Sequence, residues 1–305
     1  MINQMDPSRA SSILNLRFGA KMKIAWRLFR LRALAYSAIS LLIVLGLGSA
    51  FFVAIWLSSQ FLVFLVLFIP LLIFTAFIQI GFHRSVLRFM DGLEPNLQIT
   101  TFFEPLTRIK QLIVPMLVFG ICFLVANFIV ELLDMIPLFG WIISLPLSAI
   151  LNLILGAYNL FWAENEQADI GECLGIPISL FAGNLESWFS ALLGSILVYL
   201  PAFILIFIIV FSYLLLGHSL GALDFLIDDP EYYNPYGGYG SAYGATMNTG
   251  ALVSYIFFGF ITLILLLCAY IYSTFLYAIA YKQSMAKRQL MPSIQNWTNT
   301  PPPGY

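Results

Sequence analysis

Two histidines, His83 and His218, and three cysteines, Cys122, Cys173 and Cys268, are the residues best suited to acid–base, nucleophilic or metal chemistry, and their spacing serves none of it. No CxxC pair occurs, so neither a zinc site nor a redox motif is written into the chain. HExxH, the phosphate-binding P-loop, the dinucleotide fingerprint and the GxSxG elbow are missing as well. The acidic run Asp224, Asp228, Asp229 and Glu231 lacks the ligand spacing of an EF-hand. The sequence therefore predicts no enzyme, no cofactor and no metal. What remains are groups that bind or pack.

The first of these is basic. Arg17, Lys21, Lys23, Arg27, Arg30 and Arg32 are interleaved with Phe18, Met22, Trp26 and Phe29, whose helical angles fall within an arc of roughly 80°. Such a segment is expected to rest on a membrane surface, with Trp26 and the six cations meeting anionic lipid at about 1 kcal/mol per cation. The plainer alternative is a topology signal that also anchors the chain at the interface. A second group is small and polar: Gly140, Ser144, Ser148, Asn152 and Gly156 recur every four residues. That ridge would let a neighbouring helix approach closely, or would line a pore. Pro70, Pro146 and Pro201 lie within apolar runs, where each removes an amide donor and predicts a kink. Broken helices at mid-depth mark substrate sites in transporters. Against that, no ionisable residue falls deep in any apolar run, as coupled transport usually requires.

These groups must be held by something other than a water-soluble core. The chain is 61% apolar and 10% charged, whereas soluble domains carry roughly 25% charged residues. Six stretches, 33–57, 61–81, 112–130, 137–160, 188–214 and 252–280, are long enough to cross a hydrocarbon core of about 30 Å. All fourteen Lys and Arg lie before 111 or after 281. The positive-inside bias then places both termini in the cytoplasm. The expected fold is all-α: a polytopic membrane bundle of about six transmembrane helices. It comprises a basic cytoplasmic segment (1–32), a transmembrane domain (33–281) and a cytoplasmic tail (282–305), disordered because its proline-rich end has few large apolar residues.

The two longer cytoplasmic loops share a spacing: Asp91, Glu94 and Phe103 recur as Asp169, Glu172 and Phe181, offset by 78. Asp-x-x-Glu fits a helix start resembling a capping box. The pattern suggests a parallel internal repeat, with the second and third spans echoed by the fourth and fifth. The outer loop from about 215 to 250 holds Tyr232, Tyr233, Tyr236, Tyr239 and Tyr243 among Gly and Pro, suited to an interface or a partner. Asn127 and Gln79 are candidates for helix-to-helix hydrogen bonds.

Pro70, the run GFHRSVLRFMDGLEP at 81–95 and AENEQADIGECLGIPISLFAGN at 163–184 resemble the YciC-like group of prokaryotic multi-span proteins. They also resemble the membrane domain attached to some glycerophosphodiester phosphodiesterases. The resemblance covers about 70–215 and implies a helical inner-membrane domain with amphipathic cytoplasmic connectors. It brings no activity and no catalytic residues. The expected role is non-enzymatic, organising or assisting partners or anionic lipids through the basic segment, the cytoplasmic loops and the Tyr-rich loop. The alternative is a small-solute or lipid transporter centred on the second, fourth and fifth helices. No nucleic-acid partner is expected.

Overall fold

The structure, a computed structural model, describes residues 16–57, 61–93, 98–136, 140–165, 168–219 and 249–299. Helix α1 runs Phe18–Leu57, α2 Phe61–Met90, and the short α3 Ile99–Phe103 leads through a 3-10 turn, Glu104–Arg108, into α4, Ile109–Asp134. Then come α5 (Gly140–Glu164), α6 (Ile170–Gly183), α7 (Leu185–Ser219) and α8 (Thr249–Asn299). Among the described residues there is no strand. Among the described residues four helical stretches are long and apolar enough to cross a membrane: Ile99–Asp134, Ile142–Glu164, Leu185–Ser212 and Ser254–Arg288. Apolar side chains turn outward along them, as Leu117, Ile121, Leu124, Phe128 and Leu132 do on α4. Water would penalise that surface, and a bilayer would not.

Two expected boundaries are corrected. The basic segment is not a separate surface helix, because Phe18–Leu57 is one unbroken helix of 40 residues. At 1.5 Å per residue it is about 60 Å long, twice the thickness of a hydrocarbon core of about 30 Å. The tail is not disordered from 282 onward either: α8 stays helical to Asn299. Every residue from Lys282 to Ala286 is buried. Once a helix is nucleated and packed on its neighbours, propagation adds a hydrogen bond for each residue fixed. Composition alone misses that help.

The chain divides into two compact units, Met1–Ile196 with Ile271–Tyr305, and Leu197–Tyr270. In the smaller unit, outward aromatic pairs follow the helices, including Tyr199 with Phe203 and Phe207 stacked on Phe211. The larger unit holds the candidate site, and two close approaches shape it. A Cβ on Gly81 would lie 2.0 Å from the carbonyl oxygen of Phe102, so α3 rests directly on the α2 backbone. A Cβ on Gly140 would lie 2.4 Å from the Leu133 carbonyl oxygen, so the α4–α5 hairpin closes only over a glycine.

Two of the three residue pairs behind the suggested repeat play different parts. Asp169 is the N-cap of α6, its Oδ1 accepting from the Glu172 amide at 2.7 Å. Asp91 instead ends α2, where Gly92 at φ +74° closes a Schellman turn, its amide on the Phe89 carbonyl and that of Leu93 on the Arg88 carbonyl. Phe181 is buried whereas Phe103 is exposed. Glu94 lies outside the described residues, as do the Tyr-rich segment 220–248 and the expected hairpin near 58–60.

Candidate functional site

Among the described residues of the larger unit, most charged contacts gather where the ends of α2 and α5 meet residues 281–284 of α8, the start of α7 and the connector Glu104–Arg108. Arg84, on α2, has a side chain only 3% exposed. It donates from Nε and Nη2 to the two oxygens of Glu104 at 2.8 and 2.7 Å, a bidentate pair, and from Nη1 to the Ala163 carbonyl at 3.0 Å. Arg88 adds a bond to the same carboxylate, and Arg108 donates to the carbonyls of Trp162 and Asn165. Trp162 and Ala163 belong to the last turn of α5, whose carbonyls have no partner within the helix and carry partial negative charge. Two arginines from other elements therefore cap α5.

Lys282 is the second node. Its side chain is 7% exposed, and Nζ donates to Asp91 Oδ2 at 2.9 Å and Glu164 Oε1 at 2.5 Å. Asp91 and Glu164 both sit at helix C-termini, where a bare carboxylate is unfavourable, and one ammonium answers both. Around it Tyr281 accepts from Asn165, Gln283 accepts from the Ser187 hydroxyl, and Ser284 Oγ accepts from Trp188 Nε1 at 3.1 Å. Four consecutive residues of α8 thus reach α2, α5, α7 and the residue just past α5. A polar stretch buried on every side is the hub of this collar.

The third node is Lys21, whose Nζ donates to Ser190 at 2.9 Å and Ser187 at 3.1 Å. Burial pushes its pKa below the ordinary lysine value, and Glu186 pulls it back up. Ser187 is buried and donates its own hydrogen to Gln283, so the group ties α1 to α7 and α8. His83, fully enclosed, is pushed down to about 4 by burial, against the opposing pull of the Gln79 carbonyl. It is neutral at physiological pH. Among the described residues no three His, Cys, Asp or Glu gather in a way that could hold a metal ion.

No family model, curated protein or solved structure matches this chain.

The basic residues of α1 divide by face. Lys21 points inward, and Arg32 lies 5.4 Å over the Phe89 ring. Neither presents its charge freely to a headgroup. Arg17, Lys23, Arg27 and Arg30 are exposed, and among the described residues none meets an acidic partner. Trp26 is half exposed, stacked on Phe29 at 5.6 Å and tilted against Tyr272 at 6.3 Å. Tyr272 in turn donates to the Met22 carbonyl. Of the expected aromatic arc, then, part packs onto α8 and part stays open.

The small-residue ridge divides too. Gly140 and Ser144 pack at the α4–α5 hairpin, where Ser144 donates to Asp134 at 2.9 Å. Asn152 is exposed and bonds only the Ser148 carbonyl of its own helix, and a Cβ on Gly156 would meet nothing within 4 Å. Asn127 likewise turns back to the Phe123 carbonyl. Pro70, Pro146 and Pro201 are exposed, and their helices run on through them. Sequence reasoning missed Glu104, Glu164, Asp91, Ser187 and Gln283. The available signal was charge complementarity: an acid-only connector after α5 needed cations, and the basic residues after 281 supply one.

Proposed function

We propose that this chain is a multi-pass protein of a prokaryotic plasma (inner) membrane, crossing six times with both termini in the cytoplasm. Its role is non-catalytic: the cytoplasmic end organises anionic lipid or a protein partner. The single observation that carries this is the use made of charge in the collar. Arg84, Lys21 and Lys282 are spent on pairing helix ends and connectors, while Lys23, Arg27 and Arg30 stand outside with no acidic partner among the described residues. A rigid, internally paired base with free cations on its flank suits docking. The resemblance to the YciC-like group implies a helical inner-membrane domain and no activity.

The transporter alternative drew on the three prolines and on the α5 ridge. The prolines are exposed, and the ridge is open at Asn152 and Gly156, so neither supports an interior path. The test is purification of the full-length chain in mild detergent, with proteins, lipids and small solutes identified in the product. Stoichiometric protein or anionic lipid, lost on Arg27→Gln with Arg30→Gln, supports organisation. A retained solute that survives those substitutions points to transport and contradicts it.

A further inference from the structure

On α1 the exposed cations are not scattered. Lys23, Arg27 and Arg30 follow at intervals of four and three, which stacks them on one helical face within an arc of about 60°. From the first to the last is about 10 Å along the axis. Like charges at these spacings repel, so the stripe gains from an anion that bridges them. The same face continues without a break into Leu31 and Leu34, 63% and 87% exposed. Trp26, half exposed, borders the stripe on one side. Lys21 and Arg32 are turned to the other side of the helix, into the protein.

The geometry points to a binding strip for one anionic phospholipid, its phosphate held by Lys23, Arg27 and Arg30 and an acyl chain laid on Leu31 and Leu34. The inference deepens the proposed lipid role and rests on α1 entering the membrane beyond Arg32. Charge complementarity selects an anion, and the leucines in register select an amphiphile over an acidic protein segment, which would have no use for them. The strip is narrower than the seven residues Arg17, Lys21, Lys23, Trp26, Arg27, Arg30 and Arg32. It also leaves out three cations, Arg17, Lys21 and Arg32, that composition could not tell from the rest.

The full-length protein is reconstituted in nanodiscs of phosphatidylcholine doped with brominated phosphatidylglycerol, and the quenching of Trp26 is taken as the difference between the wild type and Trp26→Phe. The same measurement with brominated phosphatidylcholine gives the headgroup preference. Each cation near an anionic headgroup is worth roughly fivefold, so Lys23→Gln/Arg27→Gln/Arg30→Gln should lower the preference at least severalfold. Lys110→Gln/Lys287→Gln/Arg288→Gln removes the same charge elsewhere and should leave it intact. An unchanged preference in the stripe variant overturns the proposal, as does an equal fall in both variants, which would mean net charge alone is read. Binding of a poly-glutamate peptide with no headgroup preference also overturns it. Nanodiscs present both faces alike, so the result does not depend on the proposed orientation, and a reversed topology would leave this strip standing.

Discussion

Glu104→Gln removes one full charge from the bidentate Arg84–Glu104 pair of the collar. Arg84 is 3% exposed and would keep its charge while losing the bidentate carboxylate. Leaving a buried ion without its counter-charge costs about 3–5 kcal/mol. Glu104 is 35% exposed, so water already weakens the attraction, and the expected loss falls to about 2–3 kcal/mol. The Arg84 guanidinium also holds the Ala163 carbonyl, next to Trp162, whose Nε1 donates to the Cys173 carbonyl. Loosening Arg84 should therefore free α6 from α5. Cys173 makes that visible, because burial, then Asp169 and Glu172, push its thiol pKa up and keep it unreactive. In a Cys122→Ser/Cys268→Ala background, labelling by a thiol-reactive dye should speed up about 30- to 150-fold, tenfold for each 1.4 kcal/mol of opening free energy. Arg84→Met combined with Glu104→Gln should label more slowly than the product of the single effects, because the two charges are removed together. Unchanged labelling in Glu104→Gln, or simple additivity in the double variant, would refute the buried pair as the fastener.

Three further outcomes follow from single contacts. Gly140→Ala should lower the apparent Tm in detergent by several degrees, since its Cβ would lie 2.4 Å from a backbone oxygen, whereas Gly156→Ala should be neutral or slightly stabilising, having open space beside it. His83 is neutral when folded, with a pKa of about 4 against an ordinary 6.5, so its contribution is fully present above pH 6.5 and is lost as pH falls from 6.5 to 4. That loss reaches about 3 kcal/mol, and a flatter acid limb in thermal melts of His83→Gln is the check. Asp169→Ala should cost about 1 kcal/mol through its cap on the Glu172 amide, measured as faster hydrogen exchange in the first turn of α6.

Helices were legible because apolar runs of about 20 residues have few other meanings, and the described part of each predicted span falls inside a helix. The cap at Asp169 was also legible, since it depends on neighbours three residues apart. Asp91 carried the same local pattern and went elsewhere: its carboxylate answers Lys282, 191 residues away, a partner no window of sequence contains. Likewise Lys21 reads as one more cation in a basic segment until Ser187 and Ser190 are brought to it. The polar stretch from Lys282 to Ser284 looked like solvated tail for the same reason. It is buried, bonded to Asp91 at the end of α2, Glu164 of α5, and Ser187 and Trp188 of α7.

A collar on the cytoplasmic side of a membrane that the helices cross is tested by alkaline phosphatase, active only outside the cytoplasm, fused after residue 305 and, separately, inserted at position 240. The C-terminal fusion should be inactive and the one at 240 active. Activity at the C-terminus, or silence at 240 from a stably expressed fusion, would contradict it.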